Sequence, residues 1–173
     1  MTAISGTVFT AAQFNGCVRD NLSQTAPAVV SAAGQLIVSA GAGLITARQP
    51  VSDTVAAAEN TISTSYTNLP TIGPAVTVVT GQAALVSIAS TLDNSVTNSA
   101  SMASYEVSGQ TSISASDTWR IVRDGANATN AWRAGGVSFQ TALTPGSNTF
   151  TMKYAAGSNS AAFSFRELIV IPL

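Results

Sequence analysis

Two periodicities divide the chain. Near its start, Phe14, Val18 and Leu22 recur at i, i+4 and i+8, a spacing that puts them on one face of a helix beside Cys17. From Ser63 onward, apolar and polar residues alternate with a period of two, the pattern of half-buried strands. The helix also carries a start signal. Thr10 and Gln13 match a capping box, in which the Thr hydroxyl accepts from the Gln13 backbone N–H and the Gln side chain reaches back to the Thr10 N–H. Phe9 and Phe14 stand at the two positions of a hydrophobic staple. The spacing predicts a helix over Ala11–Leu22, weakened at Gly16 by about 1 kcal/mol relative to alanine and followed by Pro27. A helix of about twelve residues is marginal alone, so it must dock on its own domain or on a neighbouring chain.

Two short apolar runs then flank Gly41-Ala42-Gly43, predicting a hairpin over about 35–47 with a tight glycine turn. Residues 49–62 are rich in Ala, Ser and Thr and read as a linker, with a short helical turn at Thr54–Glu59. The period-two region predicts strands at Ala75–Thr80, Ala83–Leu92, Ser101–Ser108, Thr118–Arg123, Ala131–Leu143, Asn148–Ala155 and Ala162–Ile171, with a weaker one at Thr64–Leu69. Gly-, Pro- and Asn-bearing segments separate them. Val86, Ile88 and Leu92 share a face, as do Phe150, Met152 and Tyr154, and as do Val137, Phe139 and Leu143. The last strand mixes both faces, which means burial on two sides or a bulge. The fold class is mainly β: an antiparallel sandwich of seven or eight strands, jelly-roll-like, preceded by a short helix and a hairpin. The organisation is an N-terminal docking segment at 1–48, the linker at 49–62 and the sandwich at 63–173.

Composition narrows the chemistry. The 173 residues include no histidine and one cysteine, so the chain has no imidazole for a Ser-His-Asp site or a metal, and no thiolate cluster. No cofactor and no metal site is expected. Seven cations against eight anions give a net charge of −1, which argues against a nucleic-acid binder. No apolar run approaches the ~20 residues of a membrane span, and the start lacks the pattern of a signal peptide. Charged residues are 9% of the chain, far below the roughly 25% of ordinary soluble domains. Coverage by neighbouring copies would remove the need for a charged surface.

The remaining candidate groups are few. Glu106, Asp117, Asp124 and Glu167 could form an acid pair, but each sits where a structural role is expected. The densest polar cluster holds Trp119, Arg120, Arg123, Trp132 and Arg133. Exposed, these residues would form a recognition patch for a host surface glycan. Buried, the Trp side chains would fill the sandwich while the Arg side chains pair across it. Asn127-Ala128-Thr129 matches a glycosylation pattern that means little without a secretory signal.

The stretch Thr10-Ala11-Ala12-Gln13-Phe14-Asn15, continued by Val18-Arg19-Asp20-Asn21-Leu22, resembles a segment that recurs in virion proteins of tailed actinobacteriophages, including mycobacteriophages. In those proteins an Ala-Pro stretch and a hairpin ending in Ala-Arg follow, as here. Leu143-Thr144-Pro145-Gly146-Ser147-Asn148-Thr149-Phe150-Thr151-Met152-Lys153-Tyr154 and the C-terminal Ile169-Val170-Ile171-Pro172-Leu173 are similar to the same group. Gly16-Cys17 departs from it, where bulkier or polar residues are usual. The resemblance implies a non-enzymatic virion structural protein, assembled in the host cytoplasm, whose partners are other tail or capsid subunits. It is expected to be a minor tail or tail-tip subunit docked through Phe9, Thr10, Gln13, Phe14, Val18 and Leu22. The alternatives are a capsid decoration protein and a receptor- or carbohydrate-binding module. A homo-oligomer, by analogy a trimer, is expected.

Overall fold

The structure, a computed structural model, describes residues 8, 10–19, 22, 25–124 and 131–173. The chain forms two units, Met1–Arg48 and Gln49–Leu173.

In the first unit the capping box forms as expected. Gln13 N donates to Thr10 Oγ1 at 3.2 Å, and Thr10 N donates to Gln13 Oε1 at 3.0 Å. The α-helix, α1, then covers only Ala11–Phe14 and passes into a π-helix at Asn15–Arg19. This corrects the predicted uniform helix over Ala11–Leu22. Widening to i→i+5 bonds breaks the i, i+4, i+8 register, and it does so around Gly16, the poorest helix former of the segment. Asp20, Asn21 and the staple residue Phe9 lie outside the described residues. A short helix, labelled α2, spans Ala26–Val29, with Pro27 in its first turn, where no amide partner is lost. Strands β1 (Leu36–Gly41) and β2 (Leu44–Arg48) form the expected antiparallel hairpin. Gly41 and Gly43 both have positive φ, 147° and 71°, a backbone that side-chain-bearing residues rarely adopt.

The second unit is a two-sheet sandwich. One sheet orders β5 (Ala75–Thr80), β10 (Gly146–Ala156), β7 (Ser101–Gly109) and β8 (Ile121–Arg123). The other orders β3 (Val51–Val55), β11 (Ala161–Pro172), β6 (Ala84–Asn94) and β9 (Trp132–Gln140), with β4 (Glu59–Thr61) continuing β3 along the same side of β11. All pairings are antiparallel. With β3 and β4 taken as one broken strand, every connection but β7–β8 crosses from one sheet to the other. That wiring of eight strands is a jelly roll.

Alternation builds the core. Val86, Ile88 and Leu92 face Phe150, Met152 and Tyr154 across the sandwich, all essentially inaccessible. Two expectations need correction. The linker at 49–62, with its helical turn at Thr54–Glu59, is instead mostly strand, since Val51–Val55 and Glu59–Thr61 pair with β11. The strand expected at Thr118–Arg123 begins as a 3-10 turn, Asp117–Trp119, capped by the Ser116 side chain, which leaves only β8 extended. At Thr64–Leu69 the backbone forms an isolated bridge, Thr67 to Tyr154, in place of the expected strand. Val137 and Phe139 share a face, but it is the outer one, while Leu143 enters the core from the loop beyond β9.

The mixed last strand contains a bulge. Between Ser164 and Glu167 the register of β11 against β6 shifts, and Phe165 has φ 46°. Before the bulge the odd residues Ala161 and Phe163 point inward. After it the even residues Arg166, Leu168 and Val170 do. One extra residue has exchanged the two faces.

Candidate functional site

Three groups of residues bear on function: the N-terminal segment, the Trp and Arg cluster, and the surroundings of the β11 bulge.

In the N-terminal segment, α1 and the π-helix bury no residue fully. Phe14 and Leu22 are exposed, while Val18 and Cys17 are half-buried. The capped turn thus holds large apolar side chains at a surface.

The Trp and Arg cluster does not form one platform. Trp119 is half-buried against the core. Its Nε1 donates to the Tyr105 carbonyl at 3.0 Å, and its ring lies 5.7 Å from that of Tyr105. Trp132, at the start of β9, is 65% exposed. Arg120 pairs with Asp117 at 2.8 Å, and the buried Arg123 reaches Asp93 of β6 at 3.1 Å. Arg133 pairs with Glu167 at 2.7 Å and donates to the Phe165 carbonyl at 2.7 Å. Each of these arginines is therefore engaged, and only Trp132 offers an open ring.

Glu106 and Asp117 are held too. Lys153 meets Glu106 at 2.8 Å, and the Tyr66 hydroxyl donates to Asp117 at 2.7 Å. That hydrogen bond is the main reason the Asp117 carboxyl lies below the usual range; Arg120 acts the same way, and burial opposes both. The Tyr105 hydroxyl, joined to Ser138 and Gln140, is pushed up by burial, against the effect of those two bonds. Among the described residues no three His, Cys, Asp or Glu side chains gather to hold a metal, and no helix is long and apolar enough to cross a membrane.

Sequence reasoning allowed a bulge in the last strand but missed the arginine that it buries. Arg166 is fully buried. Its guanidinium donates to the carbonyls of Thr71 at 3.1 Å and Gly73 at 3.3 Å, and to Glu59 Oε2 at 2.9 Å. It lies 5.4 Å from the centre of the Tyr154 ring, within cation–π range. Glu59 in turn accepts from the Thr71 hydroxyl at 2.6 Å and the Thr71 N–H at 3.0 Å. A lone arginine among Phe163, Phe165, Leu168 and Ile169 was the available signal. Outside the bulge, a cleft of about 490 Å³ is lined by Thr54, Thr91, Arg133, Phe165 and Glu167 among others. This is a structural brace under an open surface.

The brace makes stability depend on pH. The Thr71 hydroxyl, above all, holds the Glu59 carboxyl below its ordinary value of 4.5; burial opposes it, and the Thr71 N–H and Arg166 reinforce it. A folded-state pKa below the unfolded one adds stability above the ordinary range, and that stability is lost as pH falls through the folded value. With no histidine, no side chain of ordinary pKa titrates between about pH 6 and pH 8. Unfolding free energy is therefore expected to be level across that window and to fall below pH 4.5. Glu59→Gln should flatten part of the acid limb; urea titrations at several pH values check this.

The fold and surfaces define a jelly-roll chain with an appended, capped N-terminal unit. No family model and no curated protein matches it. Among solved structures it is similar to a chain of infectious bursal disease virus, Gt strain, at 12% identity and a TM-score of 0.37. That match covers 82% of this chain but only 36% of the other.

Proposed function

We propose that the chain is a non-enzymatic structural subunit of a virus particle, of the tailed actinobacteriophage kind that its N-terminal segment resembles. In this reading the first unit anchors it to the tail or tail tip, and the jelly roll is the body it presents. The observation that carries the reading is the capped N-terminal turn. Residues that bear the resemblance hold Phe14 and Leu22 exposed, where a neighbouring subunit would bury them. Burying one such side chain is worth about 1.5–3 kcal/mol. The glycan-binding reading has less support, because Trp119 is committed to the core and the arginines to carboxylates.

Phe14→Asp tests the anchor. The variant should fold as the wild type does, since Phe14 is exposed, yet be lost from particles when it complements a null phage. Particles carrying it at full occupancy would overturn the anchoring role.

A further inference from the structure

Lys153, the only lysine in the sequence, stands between a carboxamide and a carboxyl group on the outside of the β5-β10-β7-β8 sheet. The bridge from Thr67 to Tyr154 fixes the first of these neighbours, with backbone bonds of 3.0 and 2.9 Å. Counted antiparallel from that bridge, Asn68 falls opposite Lys153, and Lys153 Nζ donates to Asn68 Oδ1 at 2.7 Å. On the other side, the β10–β7 ladder pairs Lys153 with Ser104 and Thr151 with Glu106. Glu106 is therefore the diagonal neighbour of Lys153 on the same face, and its Oε1 meets Nζ at 2.8 Å. The lysine side chain is only 12% exposed. Ser104 beside it is fully buried, its hydroxyl donating to the Ser116 carbonyl at 2.8 Å, and the Tyr66 hydroxyl reaches Asp117 at 2.7 Å. The segments around Tyr66 and Ser116 thus enclose the sheet surface at this point. A surface ion pair needs only the lysine and the acid; the carboxamide held against Nζ is the additional component.

We infer that these residues form an isopeptide bond, from Lys153 Nζ to Asn68 Cγ, with Glu106 carrying the protons. Glu106 first takes a proton from the ammonium, leaving a neutral amine and a carboxylic acid; its 2.8 Å contact is within the reach of a general base. The amine lone pair then attacks Asn68 Cγ, one bond beyond the oxygen that Nζ already touches, as lysine amines attack other carbonyl carbons. The amide plane must turn about its terminal torsion, which is soft, and exposed Asn68 has room to do so. Glu106 next gives its proton to the amide nitrogen and takes one from Nζ. The Cγ–Nδ2 bond breaks with its electron pair on nitrogen, and ammonia leaves with the last proton as ammonium. Glu106 ends as the carboxylate it began as, and nothing is oxidised or reduced. Holding the reacting groups in place raises their effective concentration, to about 10⁵–10⁸ M in well-oriented cases. This is one self-modification without turnover. Tension entering through the first unit would pass from residue 68 straight to residue 153, sparing β5 to β9. The inference goes beyond the structural-subunit reading and does not rest on it.

The test is intact-mass spectrometry of the purified full chain, followed by peptide mapping. The wild type should weigh less than its sequence by one ammonia. Digestion should release a branched peptide that joins the Asn68 and Lys153 segments, and Lys153 should resist amine-acylating reagents. Asn68→Ala and Lys153→Arg should both have the full mass of their sequences. Glu106→Gln should form the bond at least tenfold more slowly. A wild type that keeps its full mass after prolonged incubation, with Lys153 open to acylation, would overturn the inference and leave an ion pair only. An ammonia loss that persists in Lys153→Arg would also overturn it, since a succinimide at some other asparagine accounts for that. Bond formation at the wild-type rate in Glu106→Gln would overturn the role given to Glu106.

Discussion

Replacing Arg166 by alanine is expected to lower the stability of the jelly-roll unit by about 3–5 kcal/mol, the usual cost of removing one partner of a buried ion pair. The cost has three sources. The Thr71 carbonyl loses its guanidinium donor, while the Gly73 carbonyl keeps the Tyr154 hydroxyl at 2.9 Å. Glu59 loses its cation, although Thr71 still holds it. The space beside the Tyr154 ring is left empty. Arg166→Lys should recover only part of the loss, because an ammonium cannot reproduce a fork that reaches a carboxylate and two carbonyls together. The exposed Arg133→Ala should cost about 1 kcal/mol or less, as surface pairs do. Urea unfolding followed by tryptophan fluorescence reads all three, with half-buried Trp119 as a reporter. An Arg166→Ala value as small as that of Arg133→Ala would contradict the role assigned to the brace.

Phe150→Ala should be as damaging, at about 3–5 kcal/mol. Phe150 sits at the middle of β10, in register with Val76 on one side and Val107 on the other. It has no accessible surface, and its ring lies 6.1 Å from that of Tyr105. Truncation removes the contacts of a whole ring and leaves a cavity that three paired strands cannot close. Phe150→Leu keeps most of the volume and should cost less than about 1.5 kcal/mol. Thermal and urea unfolding of both variants measure the difference. Equal losses would mean that ring shape, and not cavity volume, governs the site.

The strands that were legible in the sequence are those whose inward positions are apolar. Ala75–Thr80 alternates cleanly, with Val76 and Val78 inward ahead of a buried Thr80, and so does the Phe150, Met152, Tyr154 run, which nothing polar interrupts. The first strand was hidden for the opposite reason. In Val51–Val55 the middle position is Asp53, whose Oδ2 accepts from the Ala75 N–H at 2.8 Å. In Glu59–Thr61 the leading residue is Glu59, which serves Arg166. A carboxylate where alternation calls for an aliphatic residue makes a strand look like a linker. The same exchange concealed the brace. The bulge at Phe165 turns Arg166 inward, so its burial follows from a backbone irregularity that composition does not encode. The capping box could be read because its two partners are three residues apart and local. The grouping of Lys153 with Asn68 and Glu106 could not, since the three become neighbours only through backbone pairing between distant segments.

The central claim is that this chain is a structural part of a virus particle, and imaging of purified particles by electron cryomicroscopy tests it most directly. The expected result is density that fits the jelly roll at a fixed, repeated position, with the N-terminal unit seated against another subunit and a copy number that places it on the tail. Particles that lack the chain altogether, although the infected cell makes it, would contradict the account.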